Sequence, residues 1–238
     1  VFFTPLVYLI SFFGVFYASL TTLRQIDLKK IIAYSSVIHM NYLMFGLFAF
    51  NLEGLMGSLI LMVAHGFVSG GLFVCVGILY DRYHTRLQKP YGGLNYFMPI
   101  FSFFFLIFTL ANISFPGSIN FIGEFLVLLG IFMKNIIIGM LVMFMMIFST
   151  CYALWLYNKI FSGLLIQSVF VSKTKLNGVL FNSLTFKRLF MMNFTDINVR
   201  ELFSLLYLIL PVIYLGLNPS DLIDRIELYF LFSLTSQI

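Results

Sequence analysis

Between Phe97 and Met133 a single formally charged side chain occurs, Glu124, about two helical turns after the pair Pro116-Gly117. A carboxyl group in such a run is expensive to keep, and residues of this kind inside membranes handle ions or protons. Two readings stand for Glu124. It is either a structural carboxyl, neutralised by burial or tied to one lysine or backbone group, or a protonatable site facing a hydrated cavity, where burial and neighbouring charge tune its proton affinity. The second is preferred. His65, in Met62-Val63-Ala64-His65-Gly66, can accept on one ring nitrogen and donate from the other, and so pass a proton between waters. The bland alternative is a packed histidine bonded to Ser69 one turn away. Gly66, Gly70 and Gly71 are expected to let a neighbouring helix approach closely.

The elements that must position these groups follow from the punctuation. Asn112, Ser114, Pro116, Gly117, Ser118 and Asn120 are bunched. Pro116 lacks an amide proton and clashes with the preceding turn, so carbonyls near Asn112 are expected to lose their helical partners, and Gly117 loosens the chain further. The sequence predicts two half-helices meeting near mid-membrane, with Glu124 in the second; such a break is tolerated where protein or water lines it. Upstream, Arg24-Gln25-Ile26-Asp27-Leu28-Lys29-Lys30 leads into an apolar run from Ile31. Asp27 stands at a cap or first-turn position, where it can accept backbone amides. Lys29 either turns inward or snorkels at the surface, and the pattern alone favours the surface. Tyr34, Ser35, Ser36, His39 and Asn41 make the start of this run unusually polar, as interhelical glue or as a water-lined route.

Composition sets the solvent. Of 238 residues 61% are hydrophobic and 10% charged, whereas a soluble domain carries about 25% charged residues. The reading is an all-α, polytopic transmembrane helical bundle of about six spans, including one broken helix. The spans are Phe2–Leu23, Ile31–Phe50, Leu55–Tyr80, the broken region 97–133, Ile136–Tyr157 and Leu202–Leu217, so that residues 1–157 form the main bundle. A straight helix over 97–133 would be roughly 55 Å long against a hydrocarbon core of about 30 Å. With six crossings, every one of the 14 Lys and Arg residues except Lys134 and Arg225 falls on one side, as the positive-inside rule expects. Residues 158–200 form a polar connection in which Ile160–Val171 could be an interfacial helix. The final span lies in 201–217, and 218–238 reads as an interfacial tail.

Other chemistries find no support. Cys75 and Cys151 lie in apolar runs and read as packing residues rather than a disulfide or ligand pair. No metal-ligand spacing, Walker loop or dinucleotide fingerprint occurs, which points to no cofactor or metal on this chain. The formal net charge of +5 is scattered over short loops, unlike a nucleic-acid-binding face. The sequence opens at Val1 with no basic leader, so it is expected either to have lost its beginning or never to have been targeted by one.

The stretch from Leu23 to Lys29, continuing through Ile32-Ala33-Tyr34-Ser35-Ser36-Val37 to His39-Met40, resembles the signature of the antiporter-like, proton-pumping membrane subunits of respiratory NADH:ubiquinone oxidoreductase, complex I. Ala64-His65-Gly66, Asn112 through Pro116 to Asn120, Gly123-Glu124 and Leu217-Asn218-Pro219 follow in the family's order. Within that family the chain is most similar to the C-terminal portion of the NADH dehydrogenase subunit 4 type. The resemblance implies that Glu124 takes the broken-helix position where the related subunit 5 has lysine. It also places His65 on a central hydrophilic axis and Lys29 at the head of the helix feeding it, so that all three are candidates for proton relay, with Pro116, Gly117, Asn112, Asn120 and Asp27 structural. The spans would correspond to the ninth to fourteenth of a fourteen-span subunit built from two inverted repeats. The earlier repeat's glutamate and broken-helix lysine, and the following helix's central lysine, are missing. Implied partners are other complex I membrane subunits, a separate chain supplying the missing N-terminal repeat, lipids, and redox subunits holding NADH, FMN, iron–sulfur clusters and ubiquinone. The implied place is the mitochondrial inner membrane or a bacterial plasma membrane. A multisubunit cation/proton antiporter of the same fold is the alternative, separable by co-purification with redox subunits, and a non-pumping structural module is another.

Overall fold

The computed structural model describes residues 2–89, 91–163 and 196–235. They form α1 (Thr4–Arg24), α2 (Leu28–Leu47), α3 (Leu52–Tyr83), α4 (Pro99–Asn112), α5 (Ile119–Lys134), α6 (Ile136–Phe161), α7 (Val199–Leu217) and α8 (Ser220–Thr235), with a short 3₁₀ turn at Leu94–Tyr96. Helices α1, α3, α6 and α7 are each long and apolar enough to cross a membrane, and the protein is an all-α, multi-pass membrane bundle. Phe13 on α1 and Phe144 and Ile147 on α6 face outward, whereas Ser35, His39, His65, Asn120 and Glu124 are buried. A lipid environment accepts that arrangement, because the outer surface needs no polar groups.

Several expected boundaries move. α2 starts at Leu28 rather than Ile31, and α3 runs 32 residues from Leu52 to Tyr83, so its last turns carry the polar Asp81 and Arg82. The Ile160–Val171 segment divides: Ile160 and Phe161 close α6, and residues 164–171 lie outside the described residues. Asp27 occupies the N-cap of α2 but makes no capping hydrogen bond; its carboxylate lies 3.5 Å from Lys30. The head of α2 is held instead by backbone pairing, with Leu28 N donating to Arg86 O and Gln88 N to Ile26 O, both at 2.9 Å.

Close packing fixes α3 against α5, but not through the expected glycines. Gly66 and Gly70 have nothing within 4 Å of where a Cβ would stand, among the described residues, whereas a Cβ on Gly57 would lie 2.6 Å from Val127 N. One on Gly123 would lie 2.9 Å from Leu61 N. Only Gly71 of the expected three is crowded, by the Phe108 ring. The contact stripe therefore sits in the first half of α3, where missing side chains let two backbones approach.

The break between α4 and α5 has defined chemistry. Ser114 takes a left-handed φ of 62°, its amide donates to Ala111 O, and the Phe115 amide donates to Leu110 O. This pair of bonds is the Schellman arrangement. The carbonyls of Leu110 and Ala111 thus keep partners, contrary to the expected loss, and Pro116 follows as the residue that forbids continuation. Gly117, with φ 98°, turns the chain into α5, and α7 covers it, Gly216 lying against the Gly117 carbonyl. At 14 and 16 residues, α4 and α5 are roughly 21 and 24 Å long, each short of a ~30 Å hydrocarbon core.

The opposite end of α4 is held by ionic contacts. The Asp196 carboxylate accepts from the amides of Ile100 and Phe101 at 3.0 and 3.2 Å, supplying the negative charge that a helix N-terminus favours. Arg82 donates to Asp196 O at 2.9 Å and to Glu201 at 2.7 Å, tying the ends of α3, α4 and α7 together. Replacing Gly123 by alanine must push α5 off α3 and should cost about 1–3 kcal/mol of stability. Gly66→Ala should stay within about 0.5 kcal/mol. Thermal denaturation of the purified assembly carrying each variant checks the contrast.

Candidate functional site

On α5 the buried face reads Asn120, Gly123, Glu124 and Val127, the i, i+3, i+4, i+7 stripe of a helix turned inward. Glu124 is 7% exposed, and since Gly123 beside it meets α3 closely, its carboxyl is delivered into the bundle. Opposite it on α2, Ser35, His39 and Tyr42 repeat the i, i+4, i+7 spacing and are all buried. His39 Nδ1 lies 2.9 Å from Glu124 Oε1, and the His39 side chain is 1% exposed. The contact is short enough for an ion pair, yet neither atom meets the angular geometry of a hydrogen bond.

His65 on α3 stands next in line. Its ring centroid is 5.3 Å from that of His39, the planes tilted by 36°, and its Nδ1 has no hydrogen-bond partner among the described residues. His39 and His65, 26 residues apart in the sequence, are therefore neighbours, while His84 sits at the C-cap of α3 with a left-handed φ of 51°. His39 is thus a neighbour of both Glu124 and His65, although the sequence marks it only as one of the polar residues at the start of its helix. The readable signal was the spacing of Ser35, His39 and Tyr42.

Around this trio lie further buried polar groups. Tyr152 on α6 is placed beside Ser35 and Asn112, and the Tyr42 ring lies 6.3 Å from that of His39. The Tyr42 hydroxyl, Asn112 Oδ1, both amide atoms of Asn120 and Ser114 Oγ have no hydrogen-bond partner among the described residues. Buried polar atoms ordinarily find a partner in protein or ordered water, so this polar cluster beside the break holds unused donors and acceptors. Lys29, by contrast, is exposed on the first turn of α2, about three helical turns from His39, and does not join the group.

The pair can hold one proton in two ways without net charge: imidazolium with carboxylate, or neutral imidazole with carboxylic acid. Adding or removing a proton leaves an uncompensated charge in a low-dielectric interior, which is costly. The two side chains therefore carry their charge jointly, and each is the other's compensating partner at this depth. Among the described residues no group of three or more His, Cys, Asp or Glu could hold a metal ion. Cys75 is buried, but Cys151 is exposed on α6, so the packing role expected of both fits Cys75 alone.

Comparison with known proteins gives a consistent set of similarities. Residues 1–150 match a family model described as NADH:quinone oxidoreductase/Mrp antiporter, TM. The chain is 47% identical over 223 residues to NADH-ubiquinone oxidoreductase chain 4 of Marchantia polymorpha, covering 94% of this chain and 41% of that protein. It thus spans about two-fifths of the length of that relative. Respiratory complex I from Thermus thermophilus with bound NADH contains a chain of similar structure, with TM-score 0.77 and 26% identity, covering 94% of this chain and 43% of that one. The Mrp complex from Dietzia sp. DQ12-45-1b gives TM-score 0.65 at 18% identity over 68% of this chain and 30% of that one, a likeness of fold. If Glu124 and His39 share a proton, His39→Gln should shift the infrared carboxyl band assigned to Glu124, and His84→Asn should leave it in place. Difference spectra of the assembled protein, with the band identified by its loss in Glu124→Gln, check this.

Proposed function

The chain belongs to the NADH:quinone oxidoreductase/Mrp antiporter transmembrane family, and from that premise we propose that it translocates protons as the C-terminal part of a chain-4-type subunit of NADH:ubiquinone oxidoreductase. The observation that carries the reading is the buried 2.9 Å contact between His39 and Glu124, with His65 next in line. In this reading Glu124 exchanges protons with one aqueous face through the polar cluster at the helix break. His39 takes the proton on Nδ1, and His65 carries it on toward the interior. Each transfer changes the charge beside the next group and so its proton affinity, which couples distant events without an electron carrier on this chain.

The remaining assignments rest on the family relation. α4 and α5 together make one broken crossing, giving six with α1, α2, α3, α6 and α7, and α8 lies at the interface. Quinone reduction in partner subunits, which hold NADH, FMN, iron–sulfur clusters and ubiquinone, drives the proton movement. The front repeat, with its glutamate and lysine, comes from another polypeptide or from a longer form of this one. Lys29, at the exposed head of α2, is then positioned to meet that repeat. The protein works in the mitochondrial inner membrane.

A cation/proton antiporter would use the same carboxyl and the same fold. Identity at the level of 47% to an oxidoreductase chain supports quinone coupling over an ion gradient. Glu124→Gln keeps the shape of the side chain but cannot release a proton. In the assembled, reconstituted complex it should lower NADH-driven proton translocation roughly tenfold or more, and unchanged pumping per electron would refute the assigned role.

A further inference from the structure

We propose that the cleft bounded by α1, α2 and the start of α6 binds one anionic phospholipid. The cleft has a volume of about 480 Å³ and shares no lining residue with the Glu124 site; Leu9, Phe12, Phe45 and Leu141 form its walls. Such a volume is within the range of small-molecule sites, so the cleft takes the part of the lipid next to its headgroup while the rest of its chains runs on along the outer faces of the helices. Its rim is polar, carrying Thr4, Lys134 and Asn135. α5 ends at Lys134, α6 starts at Ile136 and α1 starts at Thr4, so the rim lies where helices turn and the apolar walls run inward along them. The site is therefore amphipathic in the direction a phospholipid is, with the charge outside and the hydrocarbon within.

Lys134 supplies the charge selectivity. Its ammonium donates once to Phe48 O, at 2.7 Å, and stands over the Tyr8 and Phe50 rings at 5.4 and 5.1 Å. Of its three donors, two are left for a phosphate. No carboxylate lies within ion-pair distance of it among the described residues. On the six-crossing reading only Arg225 shares its side of the membrane as a second cation, so attraction here is local to Lys134 rather than part of a basic belt. Tyr8 lines the cavity one turn, roughly 6 Å, inward of Thr4, and because its hydroxyl is closed to solvent it offers the cleft its ring rather than its O–H.

The test uses the assembled complex in vesicles of phosphatidylcholine doped with a diazirine-bearing phosphatidylglycerol, with cross-linked peptides mapped after illumination. Label is expected on the α1 and α6 walls, and a phosphatidylcholine carrying the same diazirine should label them about fivefold less, the weight of one lysine–phosphate contact. Lys134→Gln should bring the phosphatidylglycerol label down to that level, Lys134→Arg should keep it, and Tyr8→Phe, which removes only an enclosed hydroxyl, should leave it unchanged. Equal labelling by both lipids, no effect of Lys134→Gln, or no label on the walls because protein fills the cleft would each overturn the proposal. The headgroup comparison in the unsubstituted protein decides the matter even where a variant fails to assemble.

Discussion

The 2.9 Å contact between Glu124 and His39 is the constraint around which the rest of the bundle is arranged. An unpaired carboxylate at that depth would cost several kilocalories per mole, and a partner is effective only if both side chains are delivered to the same point. α5 must therefore lie against α3 at backbone distance, which Gly57 and Gly123 permit. α2 must present Ser35, His39 and Tyr42 on one face, and its head is locked in register by the loop after α3. The break after Asn112 frees α5 from the direction of α4, and α7 packs over the Gly117–Ser118 turn so that the exposed backbone there is covered by protein.

Much of this was legible in the sequence. The apolar runs gave α1, α3, α6 and α7, since crossing a membrane demands length and hydrophobicity that composition reports directly. Pro116 and Gly117 marked the break. The isolation of Glu124 in an uncharged run marked the carboxyl. What the sequence hid was which polar residues meet. His39 and His65 are adjacent only because α2 and α3 pack antiparallel around a short turn, and the glycines that do the packing are Gly54, Gly57 and Gly123 rather than the more conspicuous Gly66 and Gly70. Ends of helices were misplaced for a local reason. Asp27 looks like a capping residue, but its carboxylate turns to Lys30, and α2 is started by backbone pairing to Arg86 and Gln88, which no local pattern announces.

Seen together, the arrangement separates two kinds of electrostatics. Near the ends of α3, α4 and α7, Arg82, Asp196 and Glu201 are locked by several directed hydrogen bonds into a clamp. In the interior, Glu124, His39, His65, Tyr42 and Tyr152 are close but incompletely bonded to one another. The first kind holds helices in place, and the second leaves donors and acceptors that a moving proton can use. A chain covering about two-fifths of its relative's length thus holds a cluster of buried polar groups around its carboxyl.

The most direct test of this account is a double-mutant cycle on NADH-driven proton translocation in the assembled, reconstituted complex, using Glu124→Gln, His39→Gln and the combination. If the two side chains act as one proton-sharing unit, each single substitution should lower translocation by a similar factor and the double should lose little more, as groups acting together do. Losses that multiply, or a His39→Gln protein that pumps normally while Glu124→Gln does not, would contradict it.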